Sequence, residues 1–202
     1  MFDQVFRAFK DWLLAPLARV VGPRLSPNVI SVIAFVAGLG AAGAVLGDRN
    51  SLALALWIAN RILDGFDGTQ ARVHHTQSDF GGYLDIVFDF VVYAAIPLSI
   101  AMTDRTAGIP VAVAVLLATF FVNGASWMYL AAILERRQAG AEAHGELTTI
   151  TMPPGIVAGA ETVVFYSLFL AIPRFRVTLI FVMATLVSAN VVQRLWWARR
   201  RI

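Results

Sequence analysis

The sequence lacks cysteine and has few charged residues, and these two features exclude several kinds of site and of protein. With no Cys among 202 residues, a disulfide framework and a thiolate metal site are both excluded. Charged residues make up 14% of the chain and hydrophobic residues 58%, whereas soluble domains average about 25% charged and about 45–50% apolar. The basic residues are not clustered on a soluble face, which argues against a nucleic-acid partner. The composition therefore indicates an integral membrane protein.

A signal peptide is not apparent either, because residues 1–22 contain no short apolar core followed by a small-residue cleavage site. Apolar residues instead recur there at helical spacing, namely Phe2, Val5, Phe6, Phe9, Leu13 and Leu17. This pattern predicts an amphipathic helix lying in the membrane interface over residues 1–25. An ordinary soluble amphipathic helix is the alternative.

Long apolar stretches fill the rest of the chain, and each is long enough to cross a bilayer. They cover about 29–46, 51–73, 80–102, 108–134, 154–172 and 177–197. No internal repeat or second domain is apparent. The sequence therefore predicts one all-α integral membrane domain over residues 1–202, in which six transmembrane helices (about 28–198) follow the interfacial helix.

Basic residues are distributed unequally between the two sides of these predicted spans. Eleven lie near the termini or the loops 73–79 and 135–153, whereas the other side has Arg49, Arg105, Arg174 and Arg176. Because basic residues favour the cytoplasmic side, both termini and these loops are predicted to face the cytoplasm. The predicted location is the inner (cytoplasmic) membrane.

Four aspartates interrupt the second and third predicted spans: Asp64, Asp67, Asp85 and Asp89. A carboxylate at the centre of a membrane helix costs about 2.5–3.5 kcal/mol even on the lenient insertion scale. Such groups need a cation, a partner or water. Their presence predicts a functional site.

The spacing of the aspartates predicts that they converge. Asp64 and Asp67 share one helical face, and so do Asp85 and Asp89. At about 1.5 Å per residue, Asp64 lies roughly 12 Å from Arg72, and Asp89 lies roughly 12 Å from Gly81. Because a short loop joins the two helices, all four carboxylates are expected at one depth, in the cytoplasmic half of the bilayer.

Oxygen ligands without Cys, and without His at ligand spacing, favour Mg²⁺ or Mn²⁺ over zinc. Small residues beside the acids leave room for a bulky ligand, and Arg72 lies where a phosphate entering from the cytoplasm would pass. This combination is typical of phosphoryl transfer. Two alternatives remain open: a proton or cation pathway of a transporter, and structural ion pairs with Arg61 or Arg72.

The segment from Asp64 to Asp89 resembles a known family signature. It reads Asp64-Gly-Phe-Asp67-Gly68-Thr-Gln-Ala71-Arg72, then eight residues, Gly81, three residues, Asp85, three residues and Asp89. All eight fixed positions match the CDP-alcohol phosphotransferases (CDP-alcohol phosphatidyltransferases, class I). The run from Asp89 to Pro97 and the stretch Gly159 to Thr162 are nearest to a bacterial inner-membrane branch of that family.

The resemblance implies a role for each matching residue. Asp64, Asp67 and Asp85 would ligate two divalent ions, with Asp89 sharing the site. Asp89 would also be the general base that takes the proton of the acceptor hydroxyl. The residues implied to form the CDP pocket are Gly68, Ala71, Arg72 and Gly81.

The resemblance also implies a reaction in phospholipid synthesis. A phosphatidyl-type group would pass from a CDP-activated lipid, such as CDP-diacylglycerol, to a small alcohol, with release of CMP. A homodimer is implied as well. Glu161, in the fifth predicted span, is a possible acceptor-site residue, with a structural pair or hydrogen bond as its alternative. A family member that has lost catalysis is a further alternative, although the intact signature argues against it.

Overall fold

The computed structural model describes residues 13–137 and 157–201, and within these two ranges the regular secondary structure is entirely helical. Most of the predicted interfacial segment, residues 1–12, lies outside them. The helices are α1 (13–21), α2 (Pro27–Leu46), α3 (Asn50–Val73), α4 (Asp79–Thr103), α5 (Ile109–Arg136), α6 (Gly159–Ala171) and α7 (Arg176–Arg201), with a 3₁₀ turn at Pro173–Phe175 before α7.

Local sequence explains where several helices begin. Pro27 occupies the first turn of α2, where a missing N–H costs nothing. The Ser78 hydroxyl accepts a hydrogen bond from the backbone N–H of Gly81 at 3.1 Å and so caps α4. Gly108, which precedes α5, has φ of 90°, a left-handed conformation that glycine adopts without strain.

Four segments are long and apolar enough to cross a membrane: Pro27–Leu46, Asp79–Thr103, Ile109–Arg136 and Pro173–Arg200. Helix α3 has 24 residues, but it carries the charges of the aspartate site. Helix α6 has only 13 residues, which is about 20 Å at 1.5 Å per residue. The all-α integral membrane class is confirmed, and four of the six predicted spans meet both criteria.

The fifth predicted span corresponds to α6, which starts at Gly159. Residues 154–156 of that predicted span lie outside the described residues. The backbone N–H and C=O of Val157 bond to the side-chain amide of Asn190, at 3.0 and 2.7 Å. The Glu161 carboxylate accepts a hydrogen bond from the backbone N–H of Ala158 at 2.9 Å. Side chains thus satisfy backbone groups of Val157 and Ala158, just before the first turn of α6.

The described contacts fall into two compact units, and the first comprises Met1–Thr106 with Tyr166–Pro173. Here α2 packs against both α3 and α4. Gly38 of α2 allows a close approach of its neighbours, because a Cβ at this position would lie 2.6 Å from Cγ2 of Val92 and 3.1 Å from Nδ2 of Asn60. Unit 1 contains all four aspartates.

Helix α1 is joined to unit 1 through one face. Ala18 is fully buried in a cluster with Ile30 and Phe66. In contrast, the side chains of Leu13 and Leu17 are 58% and 51% exposed. Exposed leucines on the outer face fit the predicted amphipathic helix at the two apolar positions that the structure describes.

The second unit comprises Ala107–Phe165 with Arg174–Ile202, and in it α5 packs against α7. Buried Arg194 of α7 donates from Nη1 to the side chains of Asn123 and Ser126 of α5, at 3.0 and 3.4 Å. Hydrogen bonds from Arg194 to these two neutral side chains therefore link α7 and α5, as polar side chains commonly do between membrane helices. The organisation of the whole chain as one domain stays a prediction.

Candidate functional site

The four predicted aspartates line one small cavity between α2, α3 and α4. The lining residues are Ser31, Ala34, Phe35, Asn60, Arg61, Asp64, Asp67, Asp85, Phe88, Asp89 and Val92. The i, i+3 and i, i+4 spacings place each pair of acids on one face of its helix, and these faces meet across the cavity. The cavity has room for about one water molecule.

Asp67 is the most enclosed of the four acids, since only 6% of its surface is accessible and the other three are partly exposed. The Ser31 hydroxyl of α2 donates a hydrogen bond to its Oδ2. Because a buried carboxylate is costly without hydrogen bonds, Ser31 stabilises Asp67 in this position. The first long helix thus contributes a polar group to a site that the sequence assigned to the second and third.

Arg61 provides the positive charge among the cavity-lining residues. Its Nη2 lies 2.7 Å from Oδ1 of Asp89 and 3.6 Å from Oδ1 of Asp64. The alternative of structural ion pairs is therefore realised for these two acids. It does not account for the whole site, because one guanidinium faces four carboxyl groups in the lining.

The residues with an implied CDP-binding role lie outside the cavity lining. A Cβ at Gly68 would lie 3.1 Å from Nη1 of Arg72, so the Arg72 side chain lies back across this glycine. Gly81 is in the first turn of α4, where a Cβ would lie 3.2 Å from both Asn28 and Ser78. Arg72 and Ala71 are partly exposed at the end of α3, where a ligand has access to them.

Glu161 belongs to unit 2 and lies in the first turn of α6. Its carboxylate accepts the hydrogen bond from Ala158 described above, and a negative charge in a first turn also suits the helix dipole. This contact is of the kind that the structural alternative predicts. A role of Glu161 at the acceptor stays a prediction.

The carboxyl groups of the cavity lining are of the right chemical type for divalent cations, but their spacing is less suitable. Within residues 13–137 and 157–201, no three acidic or histidine side chains are close enough to ligate a single ion. The excess of carboxyl groups over guanidinium in the lining nevertheless leaves negative charge that hard cations would neutralise. Carboxylate oxygens are the ligands that Mg²⁺ and Mn²⁺ prefer.

Sequence reasoning missed the contributions of Ser31 and Tyr93. The Tyr93 hydroxyl accepts a hydrogen bond from Nη1 of Arg61 at 2.9 Å. Tyr93 is one turn beyond Asp89 on α4, and this i, i+4 relation was the available signal. Ser31 had no comparable signal, because its contact with Asp67 depends on how α2 packs against α3.

Comparison with known sequences identifies several relatives. Residues 24–191 match the family described as CDP-alcohol phosphatidyltransferase. The inner membrane protein YnjF of Escherichia coli K12 is 27% identical over 187 residues, which cover 91% of this chain and 88% of YnjF. The CDP-diacylglycerol–serine O-phosphatidyltransferase of Mycobacterium tuberculosis H37Rv is 32% identical over 93 residues, or 46% of this chain and 32% of that protein.

Solved structures of the phosphatidylinositol phosphate synthase PgsA1 of Mycobacterium tuberculosis share the fold. The structure with CDP-DAG bound has a TM-score of 0.69 at 18% identity, covering 94% of this chain and 92% of PgsA1. The complex with manganese and citrate also has a TM-score of 0.69, at 19% identity, with coverage of 91% and 88%. The family match spans most of the chain, including all four aspartates. The chain therefore belongs to the CDP-alcohol phosphatidyltransferase family.

Proposed function

We propose that the protein transfers a phosphatidyl-type group from a CDP-activated lipid, such as CDP-diacylglycerol, to a small hydroxyl acceptor and releases CMP. The observation that carries this proposal is the meeting of Asp64, Asp67, Asp85 and Asp89 at one cavity. Family membership supplies the reaction class. Phospholipid biosynthesis is the corresponding process.

Asp64, Asp67 and Asp85 would hold two Mg²⁺ or Mn²⁺ ions, with Asp89 sharing the site. Bound there, the ions would neutralise charge on the diphosphate and on the departing CMP. The manganese complex of PgsA1 supports a divalent ion. Ser31 keeps Asp67 in position through its hydrogen bond.

Asp89 would act as the general base. The acceptor oxygen forms a bond to the phosphorus that carries the lipid, and the bond from that phosphorus to the CMP oxygen breaks. The acceptor proton passes to Asp89, and CMP leaves with the electron pair of the broken bond. A base in hydrogen-bond reach is what a weak hydroxyl nucleophile requires.

The CDP moiety would lie against the end of α3 and the start of α4. Gly68, Ala71 and Gly81 lack large side chains, which leaves room for the nucleotide, and Arg72 would bind its phosphates. The PgsA1 structure with CDP-DAG supports a CDP-lipid substrate. The acceptor is a small alcohol, and Glu161 is the proposed contact to it.

The proposed membrane arrangement has six spans after an interfacial helix, in one domain, with both termini and the site facing the cytoplasm of the inner membrane. The inner-membrane relative YnjF supports the location. The chain has no Cys, so single-cysteine variants test the orientation directly. Gln77→Cys is expected to react with an impermeant maleimide only after the cell is opened, and Arg105→Cys in whole spheroplasts. The reverse pattern would contradict the orientation.

A CMP-release assay tests the proposed reaction. Purified protein, CDP-diacylglycerol and Mn²⁺ or Mg²⁺ are incubated with serine, glycerol 3-phosphate, inositol phosphate or glycerol. CMP is expected with one acceptor in preference to the others. No CMP with any acceptor, together with ion flux in liposomes, would favour the transporter. A homodimer is proposed as the active form, and light scattering of the detergent-solubilised protein measures it.

Arg72→Ala tests the proposed CDP pocket. Loss of a charged hydrogen-bond donor to a phosphate is expected to weaken CDP-lipid binding about tenfold or more. Arg105→Ala is the matched control, because Arg105 is exposed in the loop between α4 and α5. Equal affinity of Arg72→Ala and wild type would remove Arg72 from the pocket.

A further inference from the structure

We propose that Arg61 is a permanent positioning residue of the site, which holds Asp89 in place during turnover and does not give way to a metal ion. This proposal rests on the proposed function, in which Asp89 is the base. Arg61 is not among the eight positions of the family signature. Its contacts alone support this role.

Arg61 is held through three different nitrogen atoms. Its Nη2 lies 2.7 Å from Oδ1 of Asp89, its Nη1 donates to the Tyr93 hydroxyl at 2.9 Å, and its Nε donates to Oδ1 of Asn60 at 2.7 Å. Asn60 is itself fixed, since its Nδ2 donates to the backbone carbonyl of Ala34 at 2.7 Å. A planar guanidinium engaged along several edges has one orientation.

Two aromatic rings enclose the guanidinium. The Cζ of Arg61 lies 4.8 Å from the ring centre of Trp57 and 5.2 Å from that of Tyr93, within the range of cation–π attraction. Only 9% of the Arg61 side chain is exposed. An arginine that yields to an incoming ion would have to leave both rings and all three hydrogen bonds.

The rings are anchored in turn by α6. The Trp57 indole N–H donates to the Ser167 hydroxyl at 3.1 Å, and the Tyr166 hydroxyl donates to the backbone carbonyl of Tyr93 at 2.6 Å. Trp57 and Tyr166 are fully buried, and their ring centres lie 5.2 Å apart. A rigid aromatic support of this kind fixes Arg61, and Arg61 fixes the Asp89 carboxylate that it contacts.

Two substitutions separate the charge of Arg61 from its geometry. Arg61→Lys keeps the positive charge but has no planar fork to contact Asp89, Tyr93 and Asn60 together. Arg61→Gln removes the charge, which is expected to tighten Mn²⁺ binding because a repulsive neighbour is lost. Arg105→Gln is the control for removal of an arginine elsewhere in unit 1.

The experiment measures kcat and KM for CDP-diacylglycerol, and separately Mn²⁺ binding by electron paramagnetic resonance without substrate. Both Arg61 variants are expected to lose about 10- to 100-fold in kcat, the range for a mispositioned base, with little change in KM. Arg61→Gln is expected to combine tighter Mn²⁺ binding with slower turnover. Arg105→Gln is expected to match the wild type in all three quantities.

Tyr93→Phe is a milder variant that keeps the ring and removes only the hydroxyl. It is expected to lower kcat about 3- to 10-fold, with Mn²⁺ binding unchanged. This variant carries the test if the Arg61 variants do not fold. Wild-type kcat in Tyr93→Phe would contradict the proposal.

Other results would also overturn the proposal. Wild-type kcat in both Arg61 variants with tighter Mn²⁺ binding in Arg61→Gln would make Arg61 an exchangeable counter-ion. If the Arg61 variants lose CDP-lipid binding to the same extent as kcat, the role of Arg61 is structural. If the wild type itself releases no CMP with any acceptor, the proposed function fails first, and that result is distinct because it precedes any substitution.

Discussion

Arg61 of unit 1 and Arg194 of unit 2 both have largely enclosed side chains, but they are held in opposite ways. Arg61 in unit 1 contacts the carboxylate of Asp89 and lies between aromatic rings. Arg194 in unit 2 is 6% exposed and donates to the neutral side chains of Asn123 and Ser126. Within the described residues, its Nε is buried without a hydrogen-bond partner. The first arginine is one part of a charged cluster, and the second links two helices.

We interpret this difference as one between a polar group with a role in the proposed chemistry and a polar group with a role in packing. In unit 1, several acids share one cavity with Arg61, so each charge there depends on its neighbours. In unit 2, the described hydrogen bonds of Arg194 to α5 end on neutral groups, so they depend on helix contact alone. Substitution of Arg61 should therefore affect activity and stability, whereas substitution of Arg194 should affect mainly stability.

The largest effect is expected when carboxylates of unit 1 are neutralised. Asp67→Asn and Asp85→Asn should each lower CMP release about a thousandfold, because a metal ligand is lost where charge develops in the transition state. The same variants should bind Mn²⁺ more weakly, as measured by electron paramagnetic resonance. Asp79→Asn is the matched control, since Asp79 is exposed in the first turn of α4. Full activity of Asp67→Asn or Asp85→Asn would remove that residue from the metal site.

A direct comparison of the two arginines is expected to give the next largest effect. Arg61→Met leaves the carboxylates of Asp89 and Asp64 without their cation, which should cost about 3–5 kcal/mol in metal-free protein. Arg194→Met leaves only neutral acceptors unpaired, so its cost should be about 1–3 kcal/mol. Thermal unfolding in detergent measures both. Equal losses of stability in the two variants would mean that the charged cluster around Arg61 makes no difference. Added Mn²⁺ should raise the stability of Arg61→Met more than that of the wild type, and should not do so for Arg194→Met.

A smaller effect should follow from a change in packing without a change in charge. Gly38→Ala places a Cβ 2.6 Å from Cγ2 of Val92, which should destabilise unit 1 by about 1–3 kcal/mol. Gly43→Ala on the same helix meets nothing within 4 Å, so it should leave stability unchanged or slightly higher because alanine favours helix. Thermal unfolding of the two variants side by side decides this. A Gly38 variant as stable as the Gly43 variant would refute the close approach of α2 and α4.

Local periodicity was enough to predict the convergence of the aspartates. Asp64 and Asp67 share a face of α3, Asp85 and Asp89 share a face of α4, and a short loop returns the chain between them. Helical geometry and an antiparallel pair then leave little freedom in where the carboxylates meet. The structure has all of them at one cavity.

The supports of the site could not be predicted in the same way. Ser31 reaches Asp67 only because α2 packs on α3, and Tyr166 reaches Tyr93 across 73 residues of sequence. No local pattern encodes such pairings, since they depend on tertiary docking. The hydrogen bonds between Val157 and Asn190 are of the same kind, because they join residues 33 positions apart.

The most direct measurement of the central claim is CMP release by wild type and Asp89→Asn, with CDP-diacylglycerol binding measured on the same preparations. Asn keeps the size of the side chain but takes up no proton, so turnover should fall below detection while the affinity for CDP-diacylglycerol stays within about threefold of wild type. CMP release by Asp89→Asn at the wild-type rate would contradict the assignment of Asp89 as the base.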